Sequence, residues 1–311
     1  MTQIYHNMPN YYSDGKVTIY NCDNLVLLRS LGSGSINLIY CDVLYNSGKK
    51  FDYYEDDLGT PKDAIKWYRP RFEEMKRVLA NNGSIYIHCN WRLDSYLRIL
   101  MDEIFGFKCY RNKIVRKHSE ERGFYRNYDS QHDSILYYVN NPEDFTFNET
   151  QSKISPVPVP LFENGENPDR SDIRWFKGKA IDLAAINKHW LISPIEYYRM
   201  VENNEVRLMD GLPFRYTSVK PIGNIWAEPE MLDEYSRTIN SQAFDTPKPL
   251  SILRRIIATS SNPGDTVADF FMGAGSTAVV AKEMNRNGIF CDINPDTCEL
   301  AVNRIKKMKT E

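Results

Sequence analysis

Residues 262–296 read NPGDTVADFFMGAGSTAVVAKEMNRNGIFCDINPD. TVADFF is a short apolar run with strand character. It ends in Gly273-Ala274-Gly275, a turn whose small residues let backbone approach a ligand. A helix pattern follows over 277–284. Gly288 closes it, and residues 288–292 are a second strand ending in a carboxylate. Gly273, Gly275 and Ala278 fit G-x-G-x-x-A. Asp292 lies about 20 residues further on, where an acid accepts hydrogen bonds from ribose hydroxyls. The same fingerprint opens dinucleotide-binding domains, but there several more strand–helix units come after it. Here one helix pattern follows, over 296–308, so the rest of the sheet is expected from earlier sequence. Position therefore argues against a dinucleotide, and the reading is a nucleoside cofactor, with a plain strand–helix turn as the other possibility.

A chain of 311 residues is long enough for one large core or two unequal domains. The net charge of -2 gives no global electrostatic case for nucleic acid, so any such binding needs a local basic face. The six cysteines show no C-x-x-C spacing and the five histidines are scattered, so no metal is expected. Most of the cysteines sit in apolar runs, which reads as free thiols in a reducing compartment. There is no signal pattern and no 18-residue apolar run. The expectation is a cytoplasmic protein.

Upstream, residues 16–20 read as a strand and 24–31 as a helix. Residues 36–42 (INLIYCD) are a buried strand with Asp42 at its carboxyl end, where open α/β sheets bind ligands. Asp42 and Tyr45 leave that strand tip together. On this segment alone, a strand ending in a turn with a packed tyrosine explains them equally well. Residues 49–61 read as a mobile acidic loop. Residues 64–79 read as a helix interrupted by Pro70, with Arg69, Arg71, Lys76 and Arg77 on its solvated face. Residues 111–126 are the densest basic segment, holding Arg111, Lys113, Arg116, Lys117, Arg122 and Arg126, with Tyr125 interleaved. A basic, aromatic loop suits phosphate contact and base stacking. Residues 140–221 carry Pro156, Pro158 and Pro160 with little period, and read as an inserted smaller domain rather than sheet.

Taken together, VTIYNCDNLVLL, INLIYCDVLYNSGKKF, RPRFEEMKRVLANNGSIYIHCNW, DTPKPLSILRRIIATSSNPGD, DFFMGAGSTAVVAKEM and GIFCDINPDTCELAVNRI resemble the beta group of S-adenosylmethionine-dependent DNA amino-methyltransferases. That resemblance implies a doubly wound, Rossmann-like, circularly permuted α/β sheet. Its catalytic half would span 1–139, a target-recognition insert 140–221 and the cofactor half 222–311. It implies that the turn around Phe270, Phe271, Gly273, Gly275, Ser276 and Thr277 holds the methionine end of S-adenosylmethionine. Asp269 would accept from the amino group, Asp292 would bind the ribose and Asp23 would meet the adenine. Residues 246–249, with Thr246 and Lys248, would line the pocket. Double-stranded DNA is the implied partner; a homodimer stays open.

The family's catalytic tetrad is usually Asp-Pro-Pro-Tyr, and here it is Asp42-Val43-Leu44-Tyr45. The acid and the ring are kept, and the Val43 carbonyl remains an acceptor. Losing proline raises unfolded-chain freedom by about 0.4–1 kcal/mol per position, so the loop is expected to be less pre-shaped. By the resemblance, a base flips out of the duplex, Tyr45 stacks on it, and Asp42 and the Val43 carbonyl accept its amino hydrogens. An aspartate at the first tetrad position leans toward adenine, with cytosine as alternative. A modified donor and a catalytically silent DNA-binding subunit are the other readings of the altered tetrad.

Overall fold

The computed structural model describes residues 11–117, 131–148, 151–170, 172–203, 205–221, 223–226 and 248–308, without the side chains of 151–159, 168 and 216–221. Thr246, Arg122 and Arg126 lie outside the described residues. The chain divides into two compact units, Met1–Glu149 with Gly223–Glu311, and Thr150–Ile222. Residues 140–148, expected in the insert, belong to the first unit: Asn148 donates to the Ala258 and Ser261 carbonyls at 2.9 and 3.0 Å.

The larger unit is built on a nine-stranded sheet. Its strands are β1 (Tyr12–Ser13), β2 (Val17–Asn21), β3 (Ile36–Asp42), β4 (Leu79–Cys89), β5 (Tyr110–Lys117), β6 (His132–Val139), β7 (Ile225–Trp226), β8 (Thr266–Asp269) and β9 (Asn287–Asp292). Their spatial order is β1-β2-β9-β8-β3-β4-β6-β5-β7. The two strands of the opening stretch thus slot between β2 and β3. Val267 pairs with Leu38 and Gly288 with Val17, both in parallel register. The strands from β2 to β4 in that order are parallel, and their centres are buried on both faces.

Two groups of helices cover the sheet. One is α1 (Asn24–Ser30), α2 (Pro61–Val78) and α3 (Asp94–Phe105). The other is α4 (Leu250–Ser260), α5 (Ser276–Glu283) and α6 (Pro295–Lys307). This is the doubly wound α/β architecture. The helix starts are written locally: Asp23 caps α1, Thr60 and Asp63 form a capping box on α2, and Asn294 caps α6 ahead of Pro295.

Pro70 does not interrupt α2, which runs unbroken. An internal proline costs about 3 kcal/mol. The buried face of Ala64, Tyr68, Phe72, Met75 and Val78 offsets it. Arg71 is not on the solvated face either. It is buried, with Nε donating to Asn24 Oδ1 at 2.7 Å and Nη2 paired with Asp23 at 2.8 Å.

The smaller unit has its own core of Leu161, Ile181, Leu183, Trp190, Tyr197, Met200 and Val206. It contains far more sheet than its composition suggests. Gln151–Pro160 is an edge strand, paired antiparallel with Leu212–Pro221 on one side only. Alternate N–H groups of an edge strand point away from the ladder, and Pro156, Pro158 and Pro160 stand at alternate positions. Among the described residues no helix is long and apolar enough to cross a membrane.

Candidate active site

Three neighbouring parallel strands end in carboxylates: β3 in Asp42, β8 in Asp269 and β9 in Asp292. The chain leaves β8 toward β9 on one side and leaves β3 toward β4 on the other. The boundary between β8 and β3 is therefore the topological switch point, where open α/β sheets form a crevice at their carboxyl ends.

On the β8 side, Asp269 is 2% exposed and accepts from the Phe271 N–H at 2.9 Å and the Thr277 hydroxyl at 2.6 Å. Burial pushes its carboxyl up to about 7, and the charges of Asp42 and Asp292 add to this against those two hydrogen bonds. Asp292 accepts from the Gly273 N–H at 2.9 Å and the Asn294 N–H at 2.9 Å, which ties the end of β9 to the glycine turn. Burial raises its carboxyl as well. Phe271 lies 6.1 Å from the Trp67 ring and 6.3 Å from Tyr68.

Several expected cofactor residues face elsewhere. Phe270 is packed in the core, and its carbonyl accepts from Asn24 Nδ2 at 3.0 Å. The Ser276 hydroxyl accepts from Arg304 of α6 at 3.1 Å. Thr277 acts on Asp269 rather than outward. Asp23 caps α1 through one oxygen and pairs with Arg71 through the other.

Gly275 has φ +76°, and a Cβ there would sit 2.5 Å from Ala301 Cβ, so this glycine serves close packing on α6. Gly275→Ala combines a left-handed backbone with overpacking and is expected to cost about 2–4 kcal/mol. The urea unfolding midpoint measures it; an unchanged midpoint would mean the turn relaxes freely.

On the β3 side, the Tyr45 hydroxyl donates to Asp42 Oδ1 at 3.1 Å. Lys248 does not face the glycine turn. Its ammonium lies 2.6 Å from Asp42 Oδ2 and 5.1 Å from the Tyr45 ring centroid. Opposite Asp42 in register stands His88, fully buried, bonded to the Tyr40 hydroxyl at 2.8 Å and to Asp133 at 3.3 Å. Burial holds its imidazole below the usual value, so it is neutral near pH 7. Sequence reading missed Lys248 at Asp42 and His88 beneath Tyr45, since both contacts join segments far apart in the chain.

The segment 49–61 is an ordered hairpin, Lys49–Lys50 against Glu55–Asp56. It reaches the other half of the crevice, where the Tyr53 carbonyl accepts from Asn294 at 2.7 Å.

The first part of the basic segment lies on strand β5, Tyr110–Lys117, in line with the strand-like pattern of 107–115. Arg116 is buried and paired with Asp133, its cross-strand partner on β6, at 3.2 Å, so it cannot reach a phosphate. Lys113 pairs with Asp94 at 3.2 Å, and Arg111 lies over the Phe145 ring at 5.1 Å. Lys117 is exposed. Among the described residues no three His, Cys, Asp or Glu side chains converge to hold a metal ion.

A family model described as DNA methylase matches residues 36–303. The chain is 28% identical over 285 residues to Type II methyltransferase M.HpaI of Haemophilus parainfluenzae, covering 91% of this chain and 73% of that protein. It is 27% identical over 305 residues to DNA adenine methyltransferase YhdJ of Escherichia coli K12, covering 96% and 85%. Among solved structures, the PvuII DNA methyltransferase, titled cytosine-N4-specific, shares the fold. Its TM-score is 0.62 at 12% identity, over 98% of this chain and 92% of that one. The match spans both strand groups that meet at the crevice, and the chain belongs to the DNA methylase family, the S-adenosylmethionine-dependent methyltransferases of the N6-adenine or N4-cytosine type.

Proposed function

We propose that this DNA methyltransferase acts on the N6 amino group of adenine, flipped from the duplex, with Asp42, the Val43 carbonyl and Tyr45 around the base. The observation that carries the reading is the pairing of β3 with β8, which brings Asp42 and the Asp269–Gly273 turn to one sheet edge.

The residues fit the cofactor. Asp269 is a buried carboxylate whose hydrogen bonds come from neutral donors, Thr277 and Phe271, and burial leaves it hard to ionise. It lacks the positive charge that the cofactor's amino group carries. Asp292, fixed by two backbone N–H groups, retains lone pairs for ribose hydroxyls. S-adenosylmethionine, held by Asp269 and Asp292, would supply an electrophilic methyl for the amino nitrogen.

The chain's own groups prepare that nitrogen. An adenine amino lone pair is delocalised into the ring. Acceptors at Asp42 and the Val43 carbonyl would hold its two hydrogens and favour a tetrahedral nitrogen. They gain strength as positive charge develops there. Tyr45 would hold the ring face. Lys248 pairs with one oxygen of Asp42, and the carboxylate retains lone pairs for the amino group.

DNA contact is assigned to Lys117 and to the unit 150–222. That unit carries a hairpin, Arg174–Phe176 with Lys179–Ile181, which exposes Trp175, Lys177 and Lys179. Its base is anchored by fully buried Arg174, stacked 4.2 Å from Trp190 and paired with Asp172 at 2.6 Å. Basic and aromatic groups on a rigid hairpin suit phosphate and base contact.

Mass spectrometry of nucleosides from DNA incubated with protein and cofactor tests the reading. N6-methyladenine is the expected product. N4-methylcytosine would move the base assignment, and no methylated nucleoside at all would contradict catalysis.

A further inference from the structure

We propose that Tyr68 and Asp56 are positioning residues that do, by hydrogen bonding, what two prolines do in the family's usual tetrad. The proposal rests on reading Asp42 and Tyr45 as the reacting pair.

Two backbone groups of the altered tetrad are held, the Val43 N–H and the Leu44 carbonyl. The Val43 N–H, which a proline would lack, donates to the His88 carbonyl at 3.1 Å and extends the pairing of β3 with β4 by one residue. The Leu44 carbonyl accepts from the Tyr68 hydroxyl at 2.9 Å. Tyr68 is 0% exposed and stacked on Phe72, with ring centroids 5.3 Å apart, so this donor comes from a fixed point on α2.

Beyond Tyr45, the carboxylate of Asp56 receives the Asn46 N–H at 2.8 Å, the Ser47 N–H at 3.0 Å and the Ser47 hydroxyl at 2.6 Å. Asp56 is 3% exposed, and a buried carboxylate persists only where such donors meet it. It holds Asn46 in the left-handed region, at φ 52°, where the chain turns away from the tetrad. Asn46 in turn accepts from the Leu58 N–H at 2.7 Å, which locks loop and hairpin together.

The loop is therefore clamped before, within and after its aromatic residue. Small errors of placement at a reacting centre cost rate steeply. Proline achieves the restraint through its ring, by limiting φ and the residue before it. Here the restraint comes from groups elsewhere in the chain, and proline should be able to replace it.

The test uses the full-length protein and four variants. Tyr68→Phe keeps the ring and removes one hydrogen bond, so kcat is expected to fall about 3–10-fold, with cofactor Kd unchanged within about twofold. Asp56→Asn is expected to lower kcat by about tenfold or more, since an amide cannot accept at both positions. Adding Leu44→Pro to Tyr68→Phe is expected to restore at least half of the lost kcat. A merely structural role for Tyr68 would not give that rescue.

Hydrogen exchange of the Val43, Asn46 and Ser47 amides gives a readout independent of the proline variant. These amides are expected to be protected in the wild type and selectively faster in Asp56→Asn. Unprotected loop amides in the wild type, unchanged kcat in both single variants, or a folded double variant without rescue would each overturn the proposal. Asp42→Asn runs alongside. If its kcat stays within about tenfold of the wild type, the reacting-pair reading fails. If it is inactive while the clamp variants are normal, only the clamp fails.

Discussion

Asp42→Asn is expected to lower kcat for methyl transfer by about 10²–10³-fold while leaving cofactor binding intact, because it removes one pre-organised acceptor from the reacting centre. Asparagine keeps the size of the side chain. It replaces one acceptor oxygen with an N–H donor that would face the base amino group. The remaining Val43 carbonyl cannot orient the nitrogen alone.

The structure adds a less obvious part to this expectation. The charge of Asp42 is one of the causes that raise Asp269 on the neighbouring strand. Removing that charge lowers the cost of ionising Asp269. Cofactor affinity in Asp42→Asn is therefore expected to be kept near pH 7. Single-turnover transfer and calorimetric titration of the cofactor on the same preparation check both halves.

Asp269→Asn is expected to weaken cofactor binding by about 30–100-fold, the usual scale for truncating one member of a buried charge pair. The pH dependence follows from the same group. In the free protein burial holds Asp269 protonated up to about 7, and on the proposed assignment the cofactor's amino group would need it ionised. Below that value, binding must first remove a proton. Affinity should fall about tenfold from pH 8 to pH 6, and Asp269→Asn should abolish this slope.

The sign for stability is opposite. The unfolded chain releases this proton near 4, and the folded protein keeps it to about 7. The folded state binds more protons in that window. Asp269 thus contributes stability that is full below 4 and is lost as pH rises through 7. Cofactor binding should raise the melting temperature more at pH 8 than at pH 6.

The parts of the fold that were legible in the sequence are local patterns. β3, β8 and β9 are short apolar runs that end in an acid, and the turn between β8 and α5 is marked by its glycines, although the packing that requires Gly275 comes from distant Ala301. The few strand–helix units after the fingerprint imply that β8 and β9 join a sheet begun earlier in the chain; their place between β2 and β3 is set by the fold.

What escaped reading depends on partners far away in the chain. Arg71 and Arg116 look like surface cations until Asp23, Asn24 and Asp133 are brought to them. Lys248 reads as pocket lining until β3 delivers Asp42 to it. Residues 49–61 read as a mobile loop because nothing local shows that Asp56 will be buried against Asn46 and Ser47. The prolines of Gln151–Pro160 argue against a central strand and say nothing against an edge. The altered tetrad suggests a looser loop, and the hydrogen bonds from Tyr68 and Asp56 that hold it come from outside the segment.

Steady-state transfer of a labelled methyl to duplex DNA, with cofactor varied up to saturation, puts the shared crevice to its sharpest test. Asp269→Asn should regain most of the wild-type kcat once cofactor is saturating, whereas Asp42→Asn should stay slow at every concentration. Recovery of Asp42→Asn by excess cofactor, or an Asp269→Asn defect that saturation leaves untouched, would contradict the division of labour between the two strand ends.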